Sequence, residues 1–379
     1  MTLHSSTSSS SSVLEPPAVA VATASLRGRP VESLSPTGRA PAAVSARRWP
    51  RGGIIACALV AVAHVAISTW VFPHPIAREE LRRKVIAIPQ GQRPSLIFAG
   101  DSRAWWHIDP AVVAENVDLP AGKVVNIAIN SCESSGVLAA YREFSDRFAP
   151  APIIVISISA YSINDGVTYR HCLNDEVLWS VGLLDRFRLA SVKDAIQATF
   201  LPERELANRI ARAYYETKAF VPPEEGFWEI PAKGPLDWTS DHTQERLSFI
   251  RDVWFENPSM TGIRWRQLEE DLQDLKQGGA QVVLLDSPEH PQLADRLEGT
   301  PSGTANAAFH RQLHDLGKRM QIPVLRGGPD WLGDRNADEL YCDPVHMNRL
   351  GAELFSASIG TELRNLLNRG VLLPKAITH

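Results

Sequence analysis

Five short apolar runs, each closed by turn-forming residues, constrain what this chain can fold into: SLIFAG (95–100), KVVNIAI (123–129), IIVISIS (153–159), QVVLLDS (281–287) and IPVLRG (322–327). They are rich in β-branched residues and lack the polar alternation of a strand with one wet face. They therefore read as strands buried on both sides. Helical segments lie between most of them, including PAVVAENV, GVLAAYREFSDRF, WRQLEEDLQDLKQGG and AAFHRQLHDLGKRM. Strand–helix alternation predicts an α/β three-layer sandwich, with a mostly parallel sheet covered by helices on both faces. Sites in such sheets lie beyond the carboxyl ends of the strands.

This pattern spans residues 93–370, with 371–379 as a short tail. Residues 166–257 are too long for one crossover and contain helix formers (LPERELANRIARAYYETKAF) followed by a Pro/Trp/Gly segment, so they read as a helical insertion over the site. Residues 1–52 are Ser-, Pro- and Ala-rich with few aromatics, and read as a disordered tail. Residues 53–72 then form an apolar run near the roughly 20 residues that cross a bilayer as a helix. An uncleaved transmembrane anchor is expected there, followed by a linker over 73–92. Six arginines precede the span (27, 29, 39, 47, 48 and 51), which favours a cytoplasmic N-terminus. The catalytic part is then expected outside the cytoplasm. A net charge of −4, with no basic stripe, argues against a nucleic-acid partner. Cys132, Cys172 and Cys342 show no metal-ligand spacing, so no metal site is expected; in an exported domain two of them could form a disulfide.

The first strand ends in FAGDSR, which places Ser102 at a strand terminus. A serine hydroxyl becomes a nucleophile only with a base in hydrogen-bond reach and a third group to orient that base. Near the other end of the chain, DPVHMNRLGAELF offers Asp343 and His346 three positions apart, just before an amphipathic helix. Attack on an ester creates an oxyanion that needs fixed donors. The expected donors are the backbone N–H groups of Ser102 and Ser131, and the side-chain amide of Asn164 after the third strand. Arg103, Trp106, Glu289 and His290 are candidate substrate contacts, and Asp101 is expected to cap the helix that begins at Ser102. GDSRA also approaches the G-x-S-x-G elbow of α/β-hydrolases, but that fold has strands before its nucleophile. Asp241–His242 form a second Asp–His pair, set in a Trp/Pro-rich loop.

FAGDSR, NIAINS, SIND and DPVHMNRLGAELF appear in the order of the four sequence blocks of the SGNH, or GDSL-like, hydrolases, which the chain resembles over about 93–165 and 280–360. Asp343, His346, Asn348, Gly351 and Phe355 match the closing block. Ser131 and Ser162 stand where the family has Gly. The resemblance implies an SGNH, flavodoxin-like fold, a Ser102–His346–Asp343 triad and no cofactor. With an N-terminal anchor, the chain also resembles a membrane-tethered branch that includes periplasmic alginate-type O-acetyltransferases and D-alanyl transfer proteins. That likeness implies an esterase or acyltransferase acting on acyl esters of a cell-surface glycan, beside a multi-span membrane acyltransferase. The alternative expectation is a catalytically silent scaffold that binds glycan or such a partner.

Overall fold

The computed structural model of the chain describes residues 51–67, 79–166, 183–202, 206, 235–255, 257–259, 261–327 and 331–373. Strands β1 (Leu96–Gly100), β2 (Val124–Asn126), β3 (Ile153–Ser157), β4 (Gln281–Leu285) and β5 (Val324–Leu325) form one parallel sheet in the order β2-β1-β3-β4-β5. Leu96 stands opposite Val124 on one side and Ile153 on the other.

Because side chains alternate along a strand, each strand feeds two cores. Ile97, Ala99, Ile154, Ile156, Val282 and Leu284 face the helices Glu79–Ala87, Ser134–Glu143, Ile263–Gln277 and Pro301–Met320 through Leu81, Leu138, Leu272 and Phe309. Leu96, Phe98, Ile153, Val155, Val283 and Leu285 face the helices Pro110–Asn116 and Arg349–Asn368 through Val113, Phe355 and Ile359. Both cores are apolar, which explains why the strands read as continuous apolar runs. Each such side chain contributes about 1.5–3 kcal/mol by leaving water. The expected three-layer α/β architecture is what these packings form.

The chain leaves β1 for β2 on one side, then crosses to β3 on the other, so its direction reverses at β1. In a flavodoxin-like strand order this reversal opens a crevice at the carboxyl ends of β1 and β3. Gly100 makes the two ends meet: its φ is +111°, and a Cβ there would collide with the Ser157 carbonyl oxygen. Only glycine tolerates both conditions, and the chain then passes directly to Asp101 and Ser102.

The segment before the last helix is an antiparallel hairpin of β6 (Tyr341–Asp343) and β7 (His346–Met347). Within the insertion, the described helices are Leu183–Leu189, Val192–Thr199 and Asp241–Phe249, the last continuing as a π-turn over Ile250–Trp254. A helix over Arg51–Ala66 covers the first part of the expected membrane span. Residues 68–72, like the tail up to residue 50 and Cys172, lie outside the described residues. Among the described residues no helix is long and apolar enough to cross a membrane. Cys132 and Cys342 are free thiols, so they are not paired with each other.

Candidate active site

Asp101 caps the helix Ser102–His107 as expected, its Oδ1 accepting the Arg103 N–H at 3.0 Å. It does more than cap. The carboxylate also accepts from the hydroxyls of Ser157 (3.1 Å) and Ser159, both following or ending β3. The buried carboxylate therefore joins the ends of β1 and β3 beneath Ser102.

Ser102 Oγ lies 2.9 Å from His346 Nε2, and His346 Nδ1 lies 2.7 Å from Asp343 Oδ2. The carboxylate holds the proton on Nδ1, which leaves Nε2 as the acceptor of the serine O–H. The hairpin builds this arrangement locally. Asp343 Oδ1 accepts the backbone N–H of Val345 (2.8 Å) and of His346 (2.9 Å), a tight loop through Pro344 that turns the imidazole back toward β1. Asn348 then starts the last helix, its Oδ1 accepting the Gly351 N–H at 3.1 Å.

Two neighbours fix the imidazole. The Trp106 ring packs 5.2 Å from it, while Trp105 turns away and covers Lys84, whose Nζ is 4.9 Å from that ring. His107, which the sequence reading passed over, is fully buried and donates from Nε2 to Val345 O at 3.0 Å. Burial, aided by the nearby His346 and Arg103, holds its pKa well below the ordinary histidine value, so it is a neutral strut between the first helix and the hairpin.

Asp343 stays ionised despite its burial. Burial pushes its carboxyl up, but the charge and hydrogen bond of His346, the Arg246 guanidinium and the Val345 N–H together hold it far below the usual carboxylate range. Arg246 also escaped the sequence reading. It comes from the insertion helix Asp241–Phe249, stands 3.9 Å from Asp343 Oδ2, and lies over the Phe249 and Trp254 rings at 5.7 and 5.4 Å. The insertion thus reaches the triad through Arg246, and not through Asp241–His242, which begin that helix.

The expected oxyanion donors divide. Ser131 occupies the third position of a turn closed by Cys132 N–H to Ile129 O (3.3 Å), with φ +53°. This left-handed backbone is the conformation glycine adopts freely and a serine adopts rarely. Asn164 departs from its expected role as an open donor. It is fully buried, its Nδ2 donates to Trp254 O at 2.9 Å, and its Oδ1 accepts from Ser259 N (2.8 Å) and Gly166 N (3.0 Å). Its amide clamps the insertion to the end of β3.

Of the four expected substrate contacts, Trp106 borders the triad. Arg103 is a correction: only 1% exposed, it donates to Glu289 Oε1 (3.1 Å), Ser287 O (3.4 Å) and Ile158 O (3.3 Å), tying together the segments after β1, β3 and β4. Its guanidinium serves the frame. Glu289 receives that bond and a second from Asn306 Nδ2 at 2.7 Å. His290 caps the helix Pro291–Leu297 through Nδ1, and its own N–H donates to Pro344 O at 3.0 Å. Glu289 and His290 line a cavity of about 790 Å³ next to the triad segment, and do not touch Ser102.

No protein-family model matches the chain, and no curated protein matches it.

Proposed function

We propose that this chain is a serine esterase or O-acyltransferase of the SGNH kind, acting on acyl esters of a cell-surface glycan. The observation that carries the reading is the unbroken relay from Ser102 Oγ through His346 to Asp343, at 2.9 and 2.7 Å, between residues 244 positions apart. Structural serines at strand ends do not require a histidine held in one tautomer by an ionised carboxylate.

In this reading Ser102 Oγ attacks the acyl carbonyl carbon as its proton passes to His346 Nε2. Asp343 stabilises the imidazolium and remains ionised. The backbone N–H groups of Ser102 and Ser131 face the developing oxyanion, each such donor contributing about 3–4 kcal/mol. His346 then gives its proton to the leaving alcohol, and the acyl group rests on Ser102. Water, or a sugar hydroxyl, attacks next and gives its proton to Nε2. The new acyl–oxygen bond forms as the Ser102 ester bond breaks, and Nε2 returns the proton to Ser102 Oγ.

The membrane part of the reading has separate support. The helix Arg51–Ala66 leaves Ile55, Leu59, Val60, Val62 and Val65 exposed around its circumference. The insertion helices nearby expose Leu184, Phe187, Val192, Ile196 and Phe200, and the Phe200 ring meets His64 at 5.4 Å. Apolar side chains bare on every side suit lipid. We therefore read 53–72 as a single-pass anchor in the cytoplasmic membrane, with the α/β domain on the extracytoplasmic (periplasmic) side, where a multi-span acyltransferase can meet it.

Asn164 favours a second reading. An amide with one N–H taken up by Trp254 O suits a silent, glycan-binding scaffold. Hydrolysis of p-nitrophenyl acetate by the full-length protein separates the two. Turnover abolished by Ser102→Ala supports the enzyme; equal background rates from both proteins support the scaffold.

A further inference from the structure

The insertion helix Val192–Thr199 is packed inside out for a chain in water. It buries its two small apolar residues, Ala195 and Ala198, and exposes Val192 and Ile196, with Phe200 following one step beyond its end. Those three are spaced four positions apart, so they form one stripe. The neighbouring helix Leu183–Leu189 adds Leu184, 77% exposed, and Phe187. Arg186 ties the two helices together by turning inward, where its Nη1 donates to Thr199 Oγ1 at 3.2 Å. Single exposed apolar residues are ordinary, but five on two joined helices make a face that fits a partner.

The neighbours of this face say which partner. The Phe200 ring meets His64 edge-on at 5.4 Å, and Leu201 packs with Ile67. Both His64 and Ile67 belong to the run 53–72, which we read as the membrane anchor. They are half-buried against the insertion, while residues 55–63 are exposed. His64 stands eight residues before the end of that run. A side chain packed at that level lies at the depth of the anchor, so the lipid around the anchor reaches the insertion too. Charge agrees with this placement. Arg188 and Lys193 are exposed beside the stripe, and with Arg186 they outnumber the carboxylates of Asp185 and Asp194, which suits anionic headgroups. A protein partner or a second copy would have to displace the lipid that the adjoining anchor brings with it.

We propose that the helices Leu183–Leu189 and Val192–Thr199 are a second membrane contact, lying in the leaflet on the catalytic domain's side with their apolar stripe among the acyl chains. The proposal rests on the anchor reading for its depth and goes beyond it, because an anchor alone would leave the insertion in water. The same insertion supplies Arg246 beside Asp343, so the segment that flanks the triad carboxylate is held to the lipid surface.

The test places single bimane labels on the full-length chain, with Cys57 and Cys172 changed to serine and the buried Cys132 and Cys342 kept. The protein is reconstituted in vesicles of phosphatidylethanolamine and phosphatidylglycerol, with plain or brominated acyl chains. Labels at Val192→Cys and Ile196→Cys should each lose about half of their emission in brominated lipid, as should a label at Val62→Cys in the anchor. A label at Glu270→Cys, on the exposed face of the helix Ile263–Gln277, should lose none. Quenching at Val62 without quenching at Val192 and Ile196 overturns the proposal and leaves the anchor standing. Quenching at Val192 and Ile196 without quenching at Val62 upholds the second contact and sinks the anchor. A label at Ile196 that bromine leaves bright and that aqueous iodide cannot reach is covered by protein, and overturns the proposal in favour of a second copy of the chain.

Discussion

Arg246 Nε stands 3.9 Å from Asp343 Oδ2, so a cation from the insertion flanks the carboxylate that orients His346. The contact is longer than a hydrogen bond and acts through charge. Asp343 titrates below its unfolded value in the folded chain, so its contribution to stability is present above the unfolded carboxylate range, about pH 4, and is lost as pH falls through the folded pKa. Arg246→Gln raises the folded pKa toward the unfolded one and shrinks that contribution. The variant should be less stable than wild type at pH 7, by a gap that narrows below about pH 4. Urea unfolding across pH measures it; a gap of constant size would mean that Arg246 acts only by packing on Phe249 and Trp254.

Asn164→Ala should act on the fold before it acts on the chemistry. The residue makes three hydrogen bonds, two with the insertion at Gly166 and Trp254 and one with Ser259 just after it, and about 1 kcal/mol for each predicts a loss of about 3 kcal/mol in unfolding free energy. A true oxyanion donor would instead cost about 10²–10³-fold in kcat with the fold intact. Parallel denaturation and kinetics tell these apart.

Which parts of this arrangement were legible beforehand follows from how locally each is encoded. The strands were legible because a sheet covered on both faces demands unbroken apolar runs, as in Ile153–Ser157. Their ends were less so. In the run 123–129 the regular strand ends at Asn126, whose side chain turns to donate to Ala104 O and Ile108 O, at 2.9 and 3.0 Å, while Ile127 and Ile129 still donate to Phe98 O and Gly100 O of β1. Ser102, Asp343 and His346 were legible because spacing and chain order carry them. The β6–β7 hairpin was hidden by its length and by Pro344. Arg246 and His107 were hidden because only tertiary contact gives them a partner. The Asn164 amide misled: a carboxamide after a strand is a good donor, and sequence does not say to whom.

Ser131 holds a left-handed backbone at φ +53°. A β-branched side chain tolerates this conformation poorly, so Ser131→Val should be less stable than Ser131→Gly by about 1–2 kcal/mol. Under the proposed oxyanion role of Ser131, the valine variant should also lose kcat, because its turn would shift. Equal stability of the two variants would mean that the turn relaxes freely.

Arg103 is a buried cation between Asp101 and Glu289, 3.9 and 3.1 Å away. Arg103→Met leaves both carboxylates without their cation, and should cost about 3–5 kcal/mol. Thermal unfolding is the measurement. A change of less than about 1 kcal/mol would move Arg103 from the frame to the surface-pair class of ion contact.

Whether the Ser102 hydroxyl is activated can be read directly by treating the full-length protein with a fluorophosphonate and locating the tag by peptide mass spectrometry. The predicted result is a single adduct on Ser102 that disappears in His346→Ala. A folded protein left untagged at Ser102, or tagged equally with and without His346, would contradict a nucleophile driven by that imidazole.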